Sequence, residues 1–266
     1  MSDRTSCRSR RAALLAATVF LIAGCATHPA SLGTRPPRVP IVPEADRLLT
    51  LLARRWQAFD DLATFATITI SRDGRVERLN GVLLVRSPAS LRFEALTPWG
   101  QPFLLLAGNA ETVTLYQVAE NRAFVGRASA RATERWLGFS LEPDELVGLL
   151  AGHVLPLKDP YSAELLPSDG VGPSINLTGA AGVQRIWADP DTGVVRQVEL
   201  DNGKHRARIT YSGGGPAEAP SAVTLTALDR PLTVSIRYQE ARFGSALSTD
   251  LFTLTLPEGT KIQQFR

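Results

Sequence analysis

The feature that most constrains the fold is a long succession of short segments in which apolar and polar residues alternate. In residues 90–96, for example, Leu91, Phe93 and Ala95 alternate with polar and charged residues, which is typical of a strand with one buried face. Comparable segments recur from residue 66 to residue 256, and the connections between them are short. We therefore expect about 10–11 antiparallel strands in one sheet, which curls because so wide a sheet rarely stays flat.

Two parts of the chain have helical periodicity instead. The first is residues 44–62, whose apolar face carries Leu48, Leu49, Leu52, Trp56 and Phe59. Asp60 and Asp61 would form an exposed pair at the end of this helix. In the second part, residues 129–153, we expect one short helix over 131–137 and another from Pro143 to a stop at Gly152. The prediction is an α+β fold: an incomplete barrel covered by an N-terminal helix and a two-helix insertion.

The first 24 residues have the pattern of a secretory signal. Four arginines precede an apolar run over residues 12–22, which is too short to span a bilayer, and the run ends in Leu21-Ile22-Ala23-Gly24-Cys25. This is similar to a bacterial lipobox, which implies cleavage before Cys25 and acylation of that residue. Residues 25–43 are rich in proline and predict an extended tether. We expect the folded domain to occupy residues 44–266.

An unusual residue stands at the centre of a predicted loop. Pro98, Gly100 and Pro102 interrupt the alternation after residue 96, so residues 97–102 should form a turn between two strands. Trp99 occupies the tip, where a small polar residue is usual because loop tips face water. Two interpretations are open from the sequence: the indole folds back onto the sheet, or it is held out to meet something apolar.

Composition and motifs exclude several function classes. Removing the four Arg and one Asp of the signal from the 29 basic and 26 acidic residues leaves 25 of each, so nothing favours nucleic-acid binding. The histidines, His28, His153 and His205, share no metal-ligand spacing with one another or with carboxylates. The predicted mature domain has no nucleophile elbow, phosphate-binding loop or free cysteine. We expect a protein that is not an enzyme and that uses no metal or cofactor.

Several motifs, in their order and spacing, resemble the outer-membrane lipoprotein receptor family LolB. They are Thr97-Pro98-Trp99-Gly100 after an apolar strand, the run 102–106, Trp136-Leu137-Gly138, and the segment 143–152. The resemblance implies an incomplete antiparallel barrel whose apolar cavity accepts the acyl chains of other lipoproteins from the periplasmic carrier LolA. It also implies that a large apolar residue, usually Leu in that family, protrudes from the loop and is needed for insertion. Here the matching residue is Trp99.

The cavity, partners and location follow from this resemblance. The candidate cavity residues are Trp56, Phe59, Phe93, Trp136, Leu146 and Leu149, each of which could instead be an ordinary core residue. Ala26 after Cys25 resembles the sorting signal for the outer membrane, so we expect a monomer anchored in its inner leaflet and facing the periplasm. Two other hypotheses remain open: a binding module or sensor of the same fold for a different lipid, and a structural lipoprotein with a filled core.

Overall fold

The computed structural model describes residues 40–137 and 140–264. The helices are α1 (Pro43–Gln57), α2 (Ala130–Leu137) and α3 (Pro143–Ala151), with a 3-10 turn at Thr249–Phe252. The strands are β1 (Asp61–Arg72), β2 (Arg75–Arg86), β3 (Ser90–Leu96), β4 (Pro102–Gly108), β5 (Thr112–Gln117), β6 (Arg122–Arg127), β7 (Ser162–Leu166), β8 (Ser174–Gly179), β9 (Gly182–Ala188), β10 (Val195–Asp201), β11 (Arg206–Ser212), β12 (Ala222–Ala227), β13 (Leu232–Phe243) and β14 (Lys261–Gln264). The predicted signal, Cys25 and residues 26–39 of the predicted tether lie outside the described residues.

All these strands form one sheet in the order β14-β6-β5-β4-β3-β2-β1-β13-β12-β11-β10-β9-β8-β7. Neighbouring strands are antiparallel except β14, which pairs with β6 in parallel. The described part of the chain therefore contains 14 strands, more than the sequence predicted. The predicted architecture of a curled, incomplete antiparallel barrel with a few covering helices is confirmed.

The N-terminal helix is shorter than predicted. Helix α1 buries Ala45, Leu48 and Leu52, and it ends at Gln57 rather than near residue 62. The chain then turns, and β1 begins at Asp61. The prediction of an exposed pair is wrong for Asp61, which is only 2% exposed. Its carboxylate is buried because it accepts hydrogen bonds from the backbone N–H groups of Ser245 (2.7 Å) and Leu247 (2.9 Å), which sequence periodicity cannot show.

The two inserted helices form where the sequence places them. Glu142 and Glu145 make a reciprocal capping box at the start of α3, and Gly152 ends that helix in the left-handed conformation with φ +75°. The hydroxyl of Thr133 on α2 donates to the carbonyl of Leu141 (2.6 Å), which ties α2 to the entry of α3. We call α2 and α3 the covering helices.

After β13 the chain crosses the outer face of the sheet, and we call residues 244–260 the strap. Arg92 on β3 donates to the carbonyl of Leu251 (2.6 Å), and the Phe252 side chain is buried. The predicted strand over 252–256 is wrong, because this segment makes a 3-10 turn and then runs outside the ladder. The strap delivers β14 to the edge of β6, where the N–H of Lys261 donates to the carbonyl of Asn121 (2.9 Å).

Candidate functional site

The inner face of the sheet and the covering helices enclose a cavity of about 280 Å³. Its wall has three parts. Strands β1 to β5 contribute Ile68, Ile70, Leu79, Leu83, Leu91, Phe93, Leu104, Leu106, Val113 and Leu115. Strands β11 to β13 contribute Ile209, Val223, Leu225, Val234 and Ile236. The insertion contributes Ala132, Leu141, Leu146, Val147, Leu149 and Leu150.

Alternation along the strands produces this wall. Leu104 and Leu106 lie two residues apart on β4 and so point to the same face, as Val234 and Ile236 do on β13. Strand pairing places Phe93 opposite Leu106, and Ile68 opposite Ile236. A curled sheet brings the two groups of apolar side chains toward each other, and the covering helices close the space between them.

The few polar side chains in the wall already have partners within the protein. Asn109 Oδ1 accepts the backbone N–H groups of Glu111 (2.8 Å) and Thr112 (3.0 Å). Ser129 Oγ accepts the N–H of Ala132 (3.4 Å), and the Thr133 hydroxyl both donates to and accepts from Leu141. The arrangement therefore suits a ligand that needs apolar contact and no hydrogen bonds, such as a hydrocarbon chain.

The structure brings together some of the candidate cavity residues. Phe93, Leu146 and Leu149 line the cavity. Trp56 and Phe59 are not in its lining, because both belong to a separate aromatic group. The side chain of Trp136 lies outside the part of the chain that the structure describes. The wall formed by β11 to β13 was missed from the sequence: its alternation was visible, but alternation does not show which strands face each other across a curled sheet.

The aromatic group that contains Phe59 is part of the core. Its ring centroid lies 5.9 Å from that of Trp56, 5.1 Å from that of His153 and 5.7 Å from that of Phe243. Burial, with a smaller contribution from the positive charge of Arg55, lowers the pKa of His153 to about 4. His153 is therefore neutral at pH 7 and packs as an aromatic side chain.

The loop between β3 and β4 presents Trp99 to solvent. The N–H of Gly100 donates to the carbonyl of Thr97 (2.9 Å), and the N–H of Thr97 donates to the carbonyl of Gln101 (2.8 Å). Gly100 has a φ of +79°, which its lack of a Cβ allows, and Pro98 fixes the backbone before the tip. Trp99 is 86% exposed, so the indole does not fold back onto the sheet.

Two further apolar side chains are exposed beside Trp99. Phe103 on β4 is 40% exposed, and Val118, directly after β5, is 38% exposed; the N–H of Val118 donates to the carbonyl of Phe103 (3.1 Å). We call Trp99, Phe103 and Val118 the tip patch. Exposed apolar side chains grouped in this way mark an interaction surface more often than scattered ones do.

Charged contacts connect α2 to the opposite half of the sheet. Glu134 Oε1 lies 3.4 Å from His205 Nε2 and 3.9 Å from Lys204 Nζ, both in the turn between β10 and β11. His205 Nδ1 lies 2.9 Å from Asp229 Oδ2, and this hydrogen bond lowers the pKa of the Asp229 carboxyl. These residues come from three separate segments, so no sequence pattern groups them.

Two kinds of feature are absent from the described residues. Residues 40–137 and 140–264 contain no group of His, Cys, Asp and Glu side chains that could hold a metal ion. Among the helices of the same ranges, none has both the length and the apolar composition needed to cross a membrane.

Comparison of the chain with known structures identifies its fold. A DUF1329 family protein from Desulfovibrio piger matches with a TM-score of 0.57 at 14% identity, over 80% of this chain and 98% of that one. A provisionally named outer membrane lipoprotein-sorting protein domain from Vibrio parahaemolyticus matches with a TM-score of 0.53 at 13% identity, over 78% and 97%. A LolA superfamily protein from Nitrosomonas europaea matches with a TM-score of 0.52 at 11% identity, over 79% and 97%.

The similarity lies in three-dimensional structure, since no family model and no curated protein sequence matches the chain. At these identities the comparison shows the fold alone. The chain therefore has a LolA/LolB-like fold: an open, curled antiparallel sheet that encloses an apolar cavity beneath short helices.

Proposed function

We propose that this protein is an outer-membrane lipoprotein receptor of the LolB kind. It accepts lipoproteins from a LolA-like periplasmic carrier, holds their acyl chains in the cavity and inserts them into the inner leaflet of the outer membrane. The observation that carries the proposal is the apolar cavity, whose polar side chains are already hydrogen-bonded within the protein. Among the structural neighbours, one is named as a lipoprotein-sorting protein and another as a LolA superfamily protein, which supports this function.

The energetics of acyl transfer explain why such a cavity is needed. A 16-carbon chain that enters water loses about 12 kcal/mol of transfer free energy, at about 0.8 kcal/mol for each methylene. Direct transfer through an aqueous compartment is therefore extremely slow. A cavity walled by Leu, Ile, Val and Phe side chains offers an environment close to that of a membrane, so movement from carrier to receptor is nearly neutral in free energy. No catalytic group is required, and we infer that the protein is not an enzyme.

The covering helices provide the entrance. Helix α2 has eight residues, and its contacts with the opposite half of the sheet include those of the Glu134 carboxylate with His205 and Lys204. Partly exposed pairs of this kind contribute only about 0.2–1 kcal/mol each, so displacing α2 costs little compared with the free energy of a bound acyl chain. Acyl chains enter when the covering helices move away from the sheet.

The tip patch performs the final step. Trp99 has an apolar ring and one polar N–H, a combination suited to the interface between hydrocarbon and lipid headgroups. Acylation of Cys25, with Ala26 following it, anchors the protein in the outer membrane, and the proline-rich tether lets the domain reach both carrier and bilayer. Insertion of Trp99 into the leaflet places the cavity beside the lipid into which the cargo passes.

A transfer assay tests this proposal. All described helices and strands lie in Pro43–Gln264, so a chain that begins at Ala26 keeps the complete described fold while lacking the acyl anchor. This protein is mixed with LolA that carries a lipoprotein, and then with liposomes. We expect cargo to move from LolA to the receptor and from the receptor to the liposomes.

Variants separate the receptor from the alternatives. Trp99→Glu should accept cargo but fail to insert it, whereas Leu165→Glu should behave like the native chain, because Leu165 is 37% exposed but lies on the edge strand β7, toward the other end of the sheet. If cargo never leaves LolA, the receptor function is wrong, and a carrier or sensor of another lipid becomes the better hypothesis. Failure of the native chain to bind any acyl chain would instead indicate a structural lipoprotein.

A further inference from the structure

The hairpin formed by β1 and β2 extends past β3 at the same end of the sheet as the tip patch, while on its other side β13 stays paired with β1 as far as Arg72. Gly81 on β2 pairs with Ala95 near the end of β3, so residues 75–79 of β2 continue beyond β3. At about 3.3 Å per residue, this extension is about 16 Å long. Three arginines lie on the projecting part: Arg72, Arg75 and Arg78. We call it the arginine hairpin.

The three arginines are exposed, and together with Asp73 and Glu77 they leave the hairpin a net charge of +1. Within the described residues none of them forms an ion pair, although Asp73 and Glu77 lie on the same hairpin. By contrast, Arg122 at this end of the sheet pairs with Glu120 (3.1 Å). Arg72 and Arg75 lie directly opposite each other in the ladder, and like charges in that position destabilise a hairpin. An anion placed between them would relieve this repulsion.

Two of the arginines, Arg72 and Arg75, also lie at the rim of the cavity, whereas Arg78 pairs with Thr69 and lies on the opposite face of the hairpin. Ile70 and Leu79 belong to the apolar wall, and Arg72 follows Ile70 by two residues on the same face of β1. Two residues of a strand span about 7 Å, so charged side chains begin where the apolar wall ends: Glu77 lies opposite Ile70, and the Arg72–Arg75 pair lies beyond it. Arg75 lies on the same face as its partner Arg72. The order of apolar and then charged groups along the hairpin matches that of a bilayer leaflet, in which the hydrocarbon core adjoins the charged phosphates.

We propose that the arginine hairpin binds the phosphate groups of anionic phospholipids in the membrane on which the tip patch docks. This inference rests on the proposed function, because the hairpin lies at the end of the sheet that we propose docks on the membrane. The hairpin would supply the contact with the lipid headgroups there. Guanidinium groups form paired, charge-assisted hydrogen bonds with phosphate oxygens, which the compact Lys ammonium cannot reproduce. Trp99, Phe103 and Val118 supply the apolar contact beside them, and together the two surfaces orient the cavity rim toward the leaflet.

Binding to vesicles tests the inference. The chain that begins at Ala26 is sedimented with vesicles of phosphatidylcholine alone, or of phosphatidylcholine mixed with phosphatidylglycerol. The native chain should partition more strongly onto the anionic vesicles, and added salt should reduce that preference because the contacts are exposed. Each arginine near an anionic surface strengthens partitioning about fivefold, so replacing all three with Gln should weaken it by up to about 100-fold.

A second triple variant controls for net charge. Arg127, Arg196 and Arg237 are exposed but lie at the other end or in the middle of the sheet, and their replacement by Gln removes the same charge. We expect this variant to keep most of the native preference for anionic vesicles. Equal losses in the two triple variants would show that only overall charge matters and would overturn the inference.

Two further outcomes distinguish this inference from the proposed function. Insertion of cargo into phosphatidylcholine vesicles should require Trp99 but not the three arginines. If the Gln variant of the arginine hairpin keeps the native preference for anionic vesicles, the inference is wrong while the receptor function stands. If that variant instead binds vesicles normally but no longer accepts cargo from LolA, the arginines face the carrier, which also overturns the inference.

Discussion

Enlarging one residue of the cavity wall distinguishes an empty cavity from a filled core. Val234 lies on β13 and is 7% exposed. Its partners across the neighbouring strands, Ile70 and Leu225, also line the cavity. Val234→Phe therefore directs a larger apolar side chain into open space while it keeps a residue favoured in strands.

The two possibilities predict opposite changes in stability. In an empty cavity the new ring makes contacts that were absent, and we expect the free energy of unfolding to rise by about 0.5–2 kcal/mol. In a filled core the same change overpacks the site and lowers that free energy by about 1–3 kcal/mol. For a domain of this size, 1 kcal/mol corresponds to about 2–4 °C in Tm, which calorimetry resolves.

Acyl binding should change in the opposite direction. Each methylene excluded from the cavity costs about 0.8 kcal/mol, or about fourfold in affinity. A phenyl ring that displaces three methylenes therefore weakens binding of a long-chain fatty acid by about 60-fold. Titration with a fluorescent fatty acid measures this loss. The variant should be more stable than the native chain and yet a poorer binder.

Val198→Phe is the matched control, because Val198 is fully buried on β10 and is not part of the cavity wall. It should lose stability through overpacking. If Val234→Phe loses stability to the same extent, the space in front of Val234 is not available to a ligand and the cavity argument fails.

Three further predictions concern the supports of the fold and its pH dependence. Asp61→Ala leaves two backbone N–H groups unpaired and should lower the free energy of unfolding by roughly 2–5 kcal/mol in chemical denaturation, whereas Asp60→Ala at the exposed neighbouring position should have almost no effect. Glu134→Gln removes the ionic contacts of α2 and should speed exchange of a bound fatty acid several-fold in stopped-flow measurements, and an unchanged rate would mean that α2 does not control access. Because the pKa of His153 is lowered to about 4 from 6.5, its neutral form stabilises the fold above pH 6.5, and up to about 3 kcal/mol of stability is lost as pH falls toward 4. His153→Phe should remove this part of the pH dependence of the free energy of unfolding. If that pH dependence is unchanged in the variant, protonation of His153 is not its cause.

Local patterns were sufficient to predict the class of fold. Alternation in segments such as residues 90–96 indicated strands, and short connections indicated antiparallel pairing. Pro143 and Gly152 marked both ends of α3, because each residue has a backbone preference that acts within one turn. The exposed position of Trp99 was one of two open interpretations, and only the geometry of the β3–β4 loop separates them.

What the sequence could not supply depends on contacts between distant segments. The burial of Asp61, just after the end of α1, depends on its partners Ser245 and Leu247, which lie more than 180 residues further along the chain. Val223 and Ile236 share the alternation of other strands, yet their place in the cavity wall depends on how far the whole sheet curls. Strand β14 is short and polar, so no periodicity marked it.

The pairing of β14 with β6 has a consequence for how the chain folds. The contact between Thr260 and Asn121 joins residues 139 positions apart, and it forms at the very end of the described chain. Loop closure over such a distance is slow, and until it occurs the edge of β6 is open to pairing with other molecules. During synthesis the N-terminal half of the sheet is complete long before β14 emerges. A chain that has lost its last few residues should therefore aggregate through β6 even while its cavity is intact. A chaperone that binds unpaired strand edges should suppress this aggregation.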